Sequence, residues 1–389
     1  MTAQIQDGFQ VNIHKKFNNR FFWAFSFLLL IAGCIIISRA LLLTRYPDFT
    51  NYYYGTVAFL HGHNPYLGLG KVFAPFAYPP FIFIILSPLS FLSYVIAGKL
   101  WVAFSIICFL ASLYIFIGMY HHFSMDPVTV TALAVMIATF FPAKFTFGMG
   151  QINMLILLLI ALFFLFEKHR EDWLAGVVLG VAMSVKLFPV LFIPWLLIRR
   201  RWQILIGLLI ALTVCYGVLE VLGYARLISY YYIHVFPAVA SGWKGDYYNQ
   251  SLSGFLTREV TDNGIRRILE IAADIGILFI TFIPIVRPVK PKQFFLEGSL
   301  ILVANVLVDA FSWQHHFVWI IPALIVVWFT MRELHEVRLN ILFFASYILL
   351  AYNIAHPGAV NVLLRSHVFY GGLLLWGILL WMFTPRCRK

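Results

Sequence analysis

The sequence predicts an all-α polytopic membrane protein, and three observations carry that expectation. Hydrophobic residues make up 62% of the 389 residues. Charged residues make up 11%, against roughly 25% in an ordinary soluble domain. Apolar runs of about 20 residues recur from one end of the chain to the other, and the mean hydropathy is +0.87.

The net charge of +12 is not a nucleic-acid signal. The basic residues fall in short clusters between apolar runs, as membrane orientation requires, and no basic run is interleaved with aromatics. Cys34, Cys108 and Cys215 lie inside apolar runs and Cys387 in the terminal tail, with neither metal spacing nor a disulfide framework.

In chain order, residues 1–20 form a polar tail with His14, Lys15, Lys16 and Arg20, placed in the cytoplasm by the positive-inside rule. Residues 21–43 are the first spanning helix, with no small-residue cleavage site, so Asp48 emerges on the far side. Residues 44–78 form an outer loop rich in Tyr, Gly and His. Within it Phe49, Tyr52, Tyr53, Val57 and Leu60 have helical spacing, which predicts an interface helix of about 12 residues.

Further apolar runs cover 79–93, 96–119, 127–146, 150–166, 173–186, 188–199, 202–222, 265–286, 294–310, 315–331, 338–354 and 367–383. Several are shorter than a full span, which predicts broken helices near a cavity. The clusters Lys168/Arg170, Arg199-Arg200-Arg201, Arg287/Lys290/Lys292, Arg332/Arg338 and Arg386-Cys387-Arg388-Lys389 all belong inside. They do so if one early run fails to cross. The short run 79–93, with Pro79, Pro80 and Pro88, is the best candidate and is expected to be a re-entrant hairpin. About 12 crossings remain. Residues 21–384 then form one transmembrane domain, and residues 385–389 are a cytoplasmic tail.

This topology gathers one set of segments on the outer side: Asp48 with its tyrosines, residues 148–153, Lys186 to Pro189, the loop 223–264, and Asp309 to His316. Only Lys/Arg placement was used to reach it, so the convergence is independent support for an outward-facing polar site.

Each member of that set suits sugar transfer from a lipid phosphate, and each has an ordinary alternative. Asp48, one of 16 acidic residues, suits a general base whose basicity desolvation raises, or a helix-end cap. Tyr52 and Tyr53 suit stacking on a sugar, or an aromatic belt. Lys186 suits an anionic partner such as a phosphate, or snorkelling. His315 and His316 are a weak metal signal, because adjacent helical residues face different ways. Hydrogen bonding to phosphate or sugar fits them better, and a structural role is the alternative. Asn249, Gln250 and Arg258 offer amides and a guanidinium for hydroxyls and phosphate. Asn249-Gln250-Ser251 also matches a glycosylation sequon. Gln151 and Asn153 flank a helix start, where capping is the alternative. No nucleotide-binding glycine loop is present, which argues against a nucleotide-sugar donor.

Seven motifs occur in order: Asp48-Phe49-x-x-Tyr52-Tyr53, Asn64-Pro65-Tyr66, Tyr78-Pro79-Pro80, Gly150-Gln151-x-Asn153, Lys186-x-Phe188-Pro189, Asn249-Gln250-Ser251-Leu252 and Ser312-Trp313-x-His315-His316. Together, from about residue 45 to about 320, they resemble the polyprenol-phosphate-mannose-dependent α-mannosyltransferases, the PimE-like family of GT-C glycosyltransferases. Phe311-Ser312-Trp313 departs from the Ser-Pro that many relatives have there. The resemblance implies a GT-C fold with interface helices in the first outer loop. It implies inverting transfer of a hexose, usually mannose, from a polyprenyl-phosphate donor to a lipid or glycan acceptor at the outer face of the cell membrane. Asp48 would be the base, and Lys186, His315 and His316 would hold the donor phosphate. No metal cofactor, nucleic acid or soluble protein partner is expected. The competing class is a flippase for a lipid-linked sugar, which needs alternating access, yet no inverted repeat is evident.

Overall fold

The computed structural model describes residues 19–67, 77–119, 126–287 and 293–384. The expectations for His14, Lys15, Lys16, Lys290, Lys292 and residues 385–389 fall outside these residues.

Among the described residues the chain is helical throughout, with one isolated bridge between Asn249 and Trp313. The helices are α1 (Asn19–Ser38), α2 (Pro47–Leu60), α3 (Phe81–Leu86), α4 (Tyr94–Gly118), α5 (Pro127–Thr139), α6 (Phe141–Met149), α7 (Asn153–Lys168), α8 (Asp172–Val185) and α9 (Phe192–Ile198). They continue as α10 (Trp202–Val221), α11 (Ala225–Tyr230), α12 (Phe236–Ser241), α13 (Leu252–Glu259), α14 (Asn263–Val286), α15 (Phe294–Val308), α16 (Ile321–Leu334), α17 (Val337–Ala351) and α18 (His367–Met382). Six helical stretches are long and apolar enough to cross a membrane, and a seventh is added if α5 and α6, bent by 47°, form one span. The remaining apolar helices are shorter, so length and composition alone support fewer crossings than the parity of the basic clusters suggests.

Proline chemistry explains two of the breaks. Phe140 ends α5 in an extended conformation (ψ 97°), two residues before Pro142 in the first turn of α6. A proline lacks an N–H and its ring clashes with the carbonyl four residues earlier, so the helix cannot run through Pro142 and the predicted run 127–146 breaks. Residues 81–91 form one short helical stretch rather than a reversing hairpin, α-helical to Leu86 and 3-10 from Ser87 to Phe91. Pro88 sits in a first turn, where it is tolerated. At about 1.5 Å per α-helical and 2.0 Å per 3-10 residue this stretch reaches about 19 Å, well short of a hydrocarbon core of about 30 Å.

The helix expected from the spacing of Phe49, Tyr52, Tyr53, Val57 and Leu60 is α2, 14 residues long. Pro47 and Asp48 open it, a proline with preset φ and a carboxylate at the positive end of the helix dipole. Phe49 and Tyr52 are buried against the helical body.

Helices α7, α8 and α15 run the length of the site's scaffold. At one end their charges pair. Arg201 bonds Glu167 (2.9 Å) and Asp172 (2.8 Å), and Lys168 Nζ donates to Gly118 O (3.1 Å). The carboxylate of Glu297, fully buried, accepts from Arg199 Nη2 (2.5 Å), Arg199 Nε (2.8 Å) and Trp195 Nε1 (2.8 Å). The opposite ends of these helices carry Asn153, Lys186 and Asp309. About 23 Å, the length of α7 at 1.5 Å per residue, therefore separates the basic end from the polar cavity described next. Glu297→Ala strands Arg199 without its carboxylate and is expected to destabilise by about 3 kcal/mol. The thermal midpoint in detergent should fall by several degrees, and an unchanged midpoint contradicts this.

Candidate active site

One cavity of about 900 Å³ opens among the start of α2, residues 77–79, the turn between α6 and α7, residues 186–191, the stretch 230–248 and residues 308–316. Its walls carry Asp48, Tyr52, Gln151, Lys186, His315 and His316, all of them singled out in the sequence.

The turn between α6 and α7 places Gln151. Gly150 closes α6 with φ +69°, in the left-handed region. A Cβ there would lie 2.7 Å from Phe49 Cβ and 2.9 Å from Tyr46 Cβ, so only glycine lets this turn press on α2. Trp101 Nε1 holds Gly150 O (2.8 Å) and Gln151 N–H donates to Thr146 O (3.0 Å). Gln151 Nε2 then donates to Asp48 Oδ2 (2.5 Å), while Gln151 Oε1 accepts from Tyr52 Oη (2.6 Å) and Tyr78 Oη (2.8 Å). Gln151 is therefore not a cap, and neither is Asn153, because no side chain caps α7.

Asp48 opens on the cavity and is enclosed on its other sides. Burial pushes its carboxyl up to about 7, against the downward pull of the Gln151 hydrogen bond and the Lys186 charge. It is poised to exchange a proton near neutrality.

Lys186 lies at the break after α8 in extended backbone (φ −154°), followed by a 3-10 turn from Phe188 to Leu191 containing Pro189. The break turns the side chain into the cavity. Its Nζ lies 2.8 Å from His316 Nε2, 3.3 Å from Asn153 Oδ1 and 3.3 Å from Tyr78 Oη, above the rings of Trp319 and Tyr78. His316 stacks on Trp319, with ring centroids 4.8 Å apart. The backbone N–H of Trp313 reaches His316 Nδ1 (3.2 Å), which assigns the proton of a neutral ring to Nε2. With that tautomer an ammonium at Lys186 and the Nε2–H of His316 stand donor against donor at 2.8 Å, a contact that an anion such as a phosphate oxygen accepting from both would relieve.

His315 presents a buried Nδ1 without a hydrogen-bond partner, and the Asn51 Oδ1 and Trp313 Nε1 atoms, also beside the cavity, have none. Asp309, at the end of α15, is a second carboxylate on the wall, close enough to Lys186 to attract it. Asn51 and Asp309 were not among the predicted site residues. Asp309 carried the same signal as Asp48, a scarce acid at the end of an apolar run. Asn51 carried no separable signal. Among the described residues no three His, Cys, Asp or Glu side chains gather as a metal-binding group.

Five predicted contacts are elsewhere. Tyr53 Oη bonds Leu92 O (2.8 Å), away from the cavity. Asn153 stands behind Lys186 and donates to His315 O (3.1 Å), positioning both. Asn249 is fully buried and its amide bonds Lys244 O, Ala310 O, Ser251 and the Ser312 N–H, so the sequon offers no accessible nitrogen. Gln250 bonds Tyr247 O, Arg365 O and the Phe369 N–H. Arg258 holds Asp246 O, Asn249 O and Ser366 Oγ. These three polar residues knit the loop 243–251 to residues 310–314 and to the start of α18, and do not themselves line the cavity.

The sequence model of glycosyltransferase family 87 matches residues 76–352. The chain is 26% identical over 322 residues to a polyprenol-phosphate-mannose-dependent α-(1-2)-phosphatidylinositol mannoside mannosyltransferase of Mycobacterium tuberculosis, covering 78% of this chain and 75% of that one. It is 28% identical over 270 residues to the corresponding pentamannoside mannosyltransferase of Mycolicibacterium smegmatis, covering 68% and 63%. It is 26% identical over 170 residues to an α-(1->3)-arabinofuranosyltransferase of Corynebacterium glutamicum, covering 42% and 39%. No solved structure matches. With the family's model matched over most of its length and a helical, multi-span fold of the GT-C type, the chain belongs to glycosyltransferase family 87.

Proposed function

We propose that this membrane glycosyltransferase moves a hexose, most simply mannose, from a polyprenyl-phosphate donor to a hydroxyl of a glycolipid or glycan acceptor, at the outer face of the cell membrane and with inversion. One observation carries the reading: a carboxylate titrating near neutrality and a convergent Lys–His donor pair face the same cavity. The names of the mycobacterial relatives supply the donor and the acceptor class.

Asp48 takes the proton of the acceptor hydroxyl as its oxygen attacks the anomeric carbon. The bond from that carbon to the phosphate oxygen breaks on the opposite face, and polyprenyl phosphate leaves with the electron pair. Lys186 and the Nε2–H of His316 meet the charge that develops on it. Val190, Leu191, Val235, Phe236 and Val239 give the cavity an apolar wall suited to the first isoprene units.

Because the leaving group is a monophosphate, a lysine and a histidine suffice without a metal. Purified protein in detergent, given polyprenyl-phosphate-mannose and a panel of lipid and glycan acceptors, is expected to transfer mannose at the same rate with and without EDTA. A rate that collapses in EDTA and returns with a divalent ion overturns the metal-free mechanism. Movement of the donor across liposomes with no transfer to any acceptor favours a flippase.

A further inference from the structure

We infer that Gln151 is a positioning residue that aims the Asp48 carboxylate at the cavity and favours its ionised form, rather than a contact for the substrate. The inference rests on the reading of Asp48 as the base.

The geometry leaves Gln151 little to offer a substrate. It is 5% exposed, both lone pairs of its Oε1 are taken by tyrosine hydroxyls, and Nε2 donates to Asp48. The orientation of the amide follows from the carboxylate. Turned over, Oε1 would face an ionised Asp48 oxygen at 2.5 Å, acceptor against acceptor, which only a protonated carboxyl tolerates. With Tyr52 and Tyr78 donating to Oε1, the N–H is presented to Asp48, and that contact is stronger the more charge the carboxylate carries. The backbone of Gln151 is fixed independently, by the left-handed Gly150 pressed on α2 and by the Thr146 carbonyl. The donor and the carboxylate thus come from two elements locked together at the site itself.

The other groups around Asp48 do not duplicate this. Lys186 attracts it without an ion pair between them, and His315, His316 and Asp309 lie around Lys186. Tyr52 and Tyr78 bond the Gln151 oxygen, and the Tyr78 hydroxyl also meets Lys186 Nζ (3.3 Å). Behind α2, the hydroxyls of Tyr46, Tyr53 and Tyr94 bond Ala40 O, Leu92 O and Tyr46 O. Arg39, Arg45, Lys99 and Lys144 on neighbouring elements are exposed.

Removing the donor is expected to raise the pH at which the base ionises. Wild-type kcat/KM should fall below pH about 7, where Asp48 takes up its proton. In Gln151→Met this acid limb should move up by about one pH unit, the size of a lost hydrogen bond to a charged group. Activity should then drop about fivefold at pH 7 and recover almost fully at about pH 9, with KM for polyprenyl-phosphate-mannose within about twofold of wild type. Tyr52→Phe, which frees one side of the amide, should move the limb the same way by less. It carries the test if Gln151→Met has a lowered thermal midpoint.

A limb that stays in place in both variants, with activity reduced equally at every pH, overturns the inference. So does a raised donor KM with an unmoved limb, which makes Gln151 a substrate contact. Asp48→Asn in parallel separates the two claims. If it is inactive while the Gln151 and Tyr52 variants keep the wild-type limb, the base stands and the positioning role falls. If it is fully active, both fall.

Discussion

Asp48→Asn loses transfer, with kcat at pH 8 lower by about a thousandfold, the middle of the range for removing a general base. Asparagine keeps the size of the side chain and can still accept the Gln151 N–H, so the loss isolates basicity from shape. A stability measurement sharpens the result. Asp48 has a folded-state pKa of about 7, above the ordinary 3.8, because burial penalises its charge. Between those two values the folded protein binds more protons than the unfolded chain, so the group's contribution to stability falls as pH rises through that window. Above pH 7 the penalty is present in full, and Asn removes it. The variant should therefore be inactive yet unfold no earlier than wild type at pH 8. An early-melting variant would assign Asp48 a structural role instead.

Lys186→Met is expected to lower kcat/KM for the polyprenyl-phosphate donor by about a hundredfold, as does the removal of one preorganised donor from a site of developing charge. Methionine keeps an unbranched stem against Trp319 and Tyr78, so the packing that Lys186 makes with those rings is largely retained. His316 remains, held by stacking on Trp319 and by the Trp313 N–H, which leaves a residual binding site rather than none. Donor titrations and initial rates check this, and unchanged values for both would remove Lys186 from the phosphate site.

Much of this site was legible in the sequence because charge is scarce there. In a chain with 11% charged residues, Asp48 and Lys186 at the ends of apolar runs stand out, and placing the basic clusters on one side brought them together with Gln151 and the His315–His316 pair. Helix α2 was equally plain, from the helical spacing of Phe49, Tyr52, Tyr53, Val57 and Leu60.

Polar loop residues expected at the site lie off the cavity for a physical reason. An amide or guanidinium satisfies backbone carbonyls as readily as sugar hydroxyls, and composition does not separate the two uses. Asn249, Gln250 and Arg258 turned out to serve the loop, where a single buried Asn249 side chain meets five polar atoms. The inverse case is Asp309, passed over as part of a segment although it lies on the cavity wall. At the break between the runs 127–146 and 150–166, the need for glycine was hidden: Gly150 closes α6 in left-handed backbone, and a side chain there would strike Phe49 and Tyr46, residues about a hundred positions away in the chain.

The most direct test of the mechanism separates binding from chemistry in one preparation. Wild type and Asp48→Asn are each saturated with labelled polyprenyl-phosphate-mannose, the bound donor is counted, acceptor is added, and product is followed over a single turnover. The account predicts equal donor binding and product formed by wild type alone. Product formed by Asp48→Asn at the wild-type rate, or donor binding lost together with transfer, would contradict Asp48 as the base.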